Sequence, residues 1–96
     1  MAEPAIGERT VLARRREIAW RSFEGEVIMV VTARDEIGHL NPVASFIWEA
    51  LDGSTDLAGI AGRLEREFAV GRDEALEDTL AFASELLEKG MVEVVG

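Results

Sequence analysis

The stretch His39-Leu40-Asn41-Pro42-Val43-Ala44-Ser45-Phe46-Ile47-Trp48-Glu49-Ala50-Leu51-Asp52-Gly53 decides how the chain folds. It reads as the end of a strand, a sharp turn, one apolar helix and a second turn. Asn41 is suited to cap a helix, because its side-chain oxygen accepts from a free N–H of the first turn. Pro42 then falls at the first helical position, where its fixed φ helps and its missing N–H costs nothing. Val43, Ile47, Ala50 and Leu51 recur at helical spacing, with Phe46 and Trp48 widening the apolar surface. Asp52-Gly53 ends the helix, since glycine tolerates the left-handed backbone that closes many helices. The pattern predicts a buried core helix.

Upstream, Glu17 to Phe23 alternates as a strand, with Ile18, Trp20 and Ser22 on one face and Glu17, Arg21 and Phe23 on the other. Glu24-Gly25-Glu26 is a turn. Val27 to Thr32 is β-branched and almost wholly apolar, which predicts a central strand covered on both faces and paired to the first as a hairpin. After a polar turn at Ala33 to Glu36, a short third strand, Ile37 to Leu40, leads into Asn41-Pro42. Gly38 in that strand permits close approach of another backbone.

Downstream, Thr55 is placed to cap a second helix whose stripe is Leu57, Ile60, Ala61, Leu64 and Phe68. Gly59 and Gly62 are poor helix residues, each about 1 kcal/mol worse than Ala, and point to close packing against another helix. Val70-Gly71-Arg72 is a tight turn. Asp73 to Lys89 is the longest helix, with one apolar line at Leu76, Leu80, Ala83 and Leu87 and an adjacent one at Thr79, Phe82 and Leu86. Lys89-Gly90 closes it. Met91 to Val95 is a short terminal strand or an extended tail.

The fold class is therefore α+β: a three-stranded antiparallel sheet followed by three helices, winged helix-turn-helix-like in outline. Residues 1–14 read as a flexible N-terminal arm and 15–96 as the domain. A chain of 96 residues holds one such core.

Composition removes whole classes of function. There is no cysteine and a single histidine, so no disulfide framework, thiolate metal site or histidine-rich centre is expected, and no cofactor. No apolar run approaches the roughly 20 residues that span a bilayer, and Met1 to Gly7 lacks the form of a secretory signal, so a cytoplasmic protein is expected. The net charge is −9. Five arginines against three glutamates through Phe23 make that part +2, so the remainder carries −11. So acidic a body repels phosphate backbones. Neither a phosphate-binding glycine loop nor a nucleophile elbow is present. His39 reads as a surface or groove residue. Asp73, Glu74, Glu77 and Asp78 favour the helix dipole and lack the spacing of a calcium loop.

These residues resemble the PqqD family across Glu17 to Val95. The resemblance is carried by Leu40-Asn41-Pro42-Val43-Ala44, Ile47-Trp48-Glu49 and Leu51-Asp52-Gly53. It continues through Thr55, Ile60, Leu64 and Phe68, then Asp78-Thr79, Phe82, Leu86 and Gly90-Met91-Val92. It implies a recognition element for ribosomally made, modified peptides. Such a module is no enzyme: it binds the leader segment of a precursor peptide and presents it to a modifying enzyme, often a radical S-adenosylmethionine enzyme. Trp48 and Asn41-Pro42 look more like the wider group of such domains than like the quinone-pathway proteins themselves.

The resemblance also implies where the peptide sits, as an added strand beside the third strand and against the third helix. The expected binding residues are Ile37, Gly38, His39 and Leu40 with Leu76, Thr79, Leu80 and Ala83, the helix positions being open by about one helical step. Main-chain pairing would supply affinity and side-chain pockets specificity, and the acidic residues of the helix favour a basic or polar peptide. Two other readings compete. One is a DNA-binding winged helix, which the acidic third helix opposes. The other is a non-catalytic structural subunit that dimerises through its sheet edge.

Overall fold

The computed structural model describes residues 6–31 and 36–96, with the backbone alone at Val31, Glu36 and Ile37. The first five residues and the turn expected from Ala33 lie outside the described residues. Nine elements follow in order: β1 (Val11–Arg14), β2 (Ala19–Phe23), β3 (Glu26–Val31), β4 (Glu36–His39), α1 (Pro42–Ala50), β5 (Asp52–Asp56), α2 (Leu57–Phe68), α3 (Arg72–Glu88) and β6 (Val92–Val94).

The expected meander is present as β2-β3-β4, antiparallel throughout, with β3 in the centre. Its faces differ from expectation. Val27 and Met29 are buried, whereas Ile28 is 43% and Val30 39% exposed. The strand is therefore covered on one face, because the helices pack on the inner side only. Phe23 joins Ile28 on the outer face at 66% exposure.

A second sheet, β5-β1-β6, adds to the single sheet expected from the sequence. Residues 11–14, read from the sequence as part of a flexible arm, form its central strand, pairing with β5 on one side and β6 on the other. Leu12 is fully buried. The Arg14 guanidinium donates to the carbonyls of Trp48 (2.9 Å) and Glu49 (2.8 Å) at the end of α1 and lies 4.9 Å from the centre of the Trp20 ring. It thus helps to cap the C-terminus of α1, sharing the Trp48 carbonyl with the Leu51 N–H (3.2 Å).

Helix α1 begins as its sequence requires. The Asn41 side chain accepts from the Ala44 N–H at 2.8 Å, and Pro42 opens the first turn. Replacing Asn41 by Ala should lower stability by about 1 kcal/mol, read as a shift in the denaturant midpoint at constant slope. Ser45, fully buried, ties the helix to the meander. Its hydroxyl accepts from the Val27 N–H (2.7 Å) and donates to the Leu40 carbonyl (3.1 Å), while the Leu40 N–H reaches the Val27 carbonyl directly (2.9 Å). One bond of that last rung is direct and the other passes through the hydroxyl.

Helix α2 is capped by Asp56, not by the expected Thr55, through a 2.8 Å bond from the Gly59 N–H. Thr55 lies in β5 and accepts from Arg63. The two glycines of α2 do not serve helix packing. A Cβ on Gly59 would meet Thr55 Cγ2 at 2.6 Å and the capping carboxylate at 3.1 Å, and one on Gly62 would meet open space. Gly59 is thus needed by the cap.

Helix α3 buries Ala75, Thr79, Ala83 and Leu86. The buried line is rotated by about one helical step from the expected Leu76-Leu80-Ala83-Leu87. Leu76, Leu80 and Leu87 are half-buried on one flank, and Phe82 is half-buried on the other. Three of the four buried residues are small, which lets α3 sit close to the core.

Candidate functional site

Strand β4 ends the β2-β3-β4 sheet, and among the described residues no strand pairs with its other side. Its hydrogen-bonding phase follows from the rung just described. In an antiparallel ladder, hydrogen-bonded and non-hydrogen-bonded pairs alternate. Leu40 donates to Val27 and is therefore in a bonded pair. The register Met29↔Gly38 and Val31↔Glu36 shares that phase, so Gly38 and Glu36 turn their backbone groups toward β3. Ile37 and His39, opposite Val30 and Ile28, turn theirs to the open edge. The edge offered to an added strand is the N–H and C=O of Ile37 and His39.

Gly38 has a different role from the one expected of it. A Cβ there would lie 3.0 Å from Met29 Cγ, on the inner face. The missing side chain makes room for Met29 beneath the sheet, not for a backbone arriving from outside. The His39 side chain points to the outer face, where Nε2 meets Glu26 Oε1. Leu40 is half-buried and packs on the core.

Beyond Leu40 the chain enters a cleft of about 430 Å³. One wall is the start of α1, from Asn41 through Val43 and Ala44 to Ile47. The other is the flank of α3 at Asp78, Ala81, Phe82 and Glu85. Since Asn41 follows His39 by two residues, the open edge and the cleft are continuous along the chain. The floor is apolar, and the α3 side bears two carboxylates.

Of the helix residues expected to meet a peptide, none lines this cleft. Thr79 and Ala83 are fully buried, and the Thr79 hydroxyl donates to the Ala75 carbonyl at 2.7 Å, so neither is reachable without opening the core. Leu76 lines a separate hollow of about 250 Å³ with Ala61, Gly62 and Glu65 on the far side of the helix. Leu80, one turn further on, shares that flank. The α3 residues that do line the cleft include Asp78, Phe82 and Glu85. The sequence did carry a signal: Phe82 is the one large aromatic of the helix and stands on the second apolar line.

A third cleft, about 410 Å³, lies between α1 and α2 and mixes Arg63 and Arg66 with Glu49 and Glu67. Among the described residues, no three histidine, aspartate or glutamate side chains gather in a way that could hold a metal ion. No helix there is long and apolar enough to cross a membrane.

Residues 26–92 match the family described as Coenzyme PQQ synthesis protein D (PqqD). No curated protein matches the chain. Two solved structures resemble it. One, titled TbiB1 in complex with the TbiA(beta) leader peptide, superposes with a TM-score of 0.76 at 20% identity. It covers 88% of this chain and 98% of that one. The other, a lasso peptide synthetase B1 complexed with the leader peptide, gives 0.74 at 27% identity, over 85% and 96%.

Proposed function

This chain belongs to the PqqD family, and from that membership we propose that it is a non-catalytic module that binds the leader segment of a precursor peptide. The two similar structures are both complexes with leader peptides, and the second, at 27% identity, resembles this chain in sequence as well as shape. The single observation that carries the reading is the open edge of β4 running into the α1–α3 cleft. An extended peptide pairs with Ile37 and His39 through main-chain bonds and sets alternate side chains into the cleft. The binding set becomes Ile37 and His39 by backbone, with Val43, Ala44, Asp78 and Phe82 by side chain.

The bound peptide is then presented to a modifying enzyme. A radical S-adenosylmethionine enzyme is the partner the family resemblance implies, and the likeness to a lasso peptide synthetase B1 favours a partner outside the quinone pathway. Modification of a newly made precursor would place the module in the cytoplasm.

Amide-shift mapping with the leader of a precursor peptide encoded beside this chain tests the site. Shifts should centre on Ile37 to Ala44 and on Asp78 to Glu85. Shifts confined to Leu57 to Phe68 would overturn it. Size exclusion separates this reading from a structural dimer: a peptide-binding module co-elutes with added peptide, whereas a dimer closed through β4 keeps its size and leaves the peptide free.

The winged-helix outline also admits DNA binding. Helix α3 presents Asp73, Glu74, Glu77 and Asp78 to solvent, all exposed, against a major groove that calls for cations. No gel shift of duplex DNA is expected at physiological salt. A submicromolar, salt-dependent shift would displace the peptide reading.

A further inference from the structure

Helix α3 carries six acidic residues, yet only Asp78 and Glu85 line the cleft. They stand seven residues apart on one flank, about 10 Å along the axis, with Phe82 between them. The rest of the lining contains no cation. Asn41, its other polar side chain, has its oxygen engaged by the Ala44 N–H. Among the described residues Asp78 has no ion-pair partner. Glu85 meets Lys89 at 3.2 Å, an exposed pair one turn away that a ligand cation can replace at little cost. The cleft on the other side of α1 differs, since Arg63 and Arg66 offset its two glutamates. Of these two clefts among the described residues, the one that continues from the β4 edge is lined by acids without a base.

Building on the peptide-binding reading, we propose that this cleft selects an extended peptide with Lys or Arg at positions i and i+4 and a large apolar side chain at i+2. In a strand lying along α3, side chains on one face recur every two residues, about 6.7 Å apart. The apolar side chain at i+2 then sits over Phe82 and packs against Val43. The flanking cations, about 13 Å apart at their Cα atoms, reach inward to carboxylates about 10 Å apart. Positions i+1 and i+3 point to the outer face of the sheet and escape this selection. The charge pattern aids capture as well as choice, because an anionic groove steers a cationic segment toward it.

The test is selection of a displayed random 16-residue peptide library on the full-length chain, followed by fluorescence anisotropy with synthetic peptides of the Lys-x-Leu-x-Lys, Gln-x-Leu-x-Gln and Glu-x-Leu-x-Glu types. Enrichment of the spaced cation–apolar–cation pattern is expected, with the lysine peptides binding about tenfold more tightly than the glutamine ones. The preference should shrink as salt is raised. The D78N/E85Q double variant should lose the preference and its salt dependence while keeping the need for the apolar residue. Both positions are exposed, so its thermal melt should match the parent. Binders without a cation bias, or a double variant with an unchanged preference, would overturn this inference and leave the peptide-binding reading intact. A library that yields no binder at all would overturn both.

Discussion

Trp48→Ala is expected to lower the unfolding free energy by about 3–5 kcal/mol, the range for emptying a fully buried aromatic site. Trp48 has no solvent exposure. Its ring meets Trp20 edge to face, with centroids 6.2 Å apart and planes at 87°, a geometry that adds to simple area burial. Its carbonyl also holds Arg14, whose guanidinium covers the far partner, Trp20. Removing the ring therefore leaves a cavity at the point where α1, β1 and β2 meet. For a domain of this size the loss corresponds to a drop of well over 10 °C in the melting temperature, measured by circular dichroism. Trp48→Phe should cost much less, because Nε1 has no hydrogen-bond partner to lose. An unchanged melt for Trp48→Ala would contradict the packing described here.

The second large effect separates binding from folding. His39→Pro is expected to weaken leader-peptide affinity by roughly 100-fold, because the edge loses a donor and the ring occupies the space of the incoming strand. The fold should tolerate the change. The His39 N–H points away from β3, edge strands accept proline, and the preceding Gly38 has no Cβ to clash with the ring. Gly38→Pro should do the reverse and unfold the domain, since that N–H belongs to the ladder with β3 and the site already abuts Met29. Calorimetric titration with peptide, beside thermal melts of both variants, gives the comparison. A His39→Pro variant that binds like the parent would remove β4 from the site.

Much of this molecule was legible in the chain itself. Asn41-Pro42 determined where α1 begins, because both act within one turn of the backbone. The alternation from Glu17 to Phe23, the β-branched run from Val27 and the turn residues between them determined the meander, because strand propensity and turn chemistry are local. The order of motifs from Leu40 to Val92 determined the family, and the acidic α3 argued against DNA. Tertiary structure alone decided three other things. It recruited Val11–Arg14 into a strand, whose partners lie some forty and eighty residues away and leave no mark on its neighbours. It chose the rotation of α3, whose apolar surface is too broad for periodicity to pick one line. Packing in the core put small Ala75, Thr79 and Ala83 inside and turned Phe82, Asp78 and Glu85 to the cleft. It also set which backbone groups of β4 are free, through the single rung where Leu40, Val27 and the Ser45 hydroxyl meet. A strand sequence specifies which side chains share a face, but the phase of its hydrogen bonds exists only once a partner strand is in register.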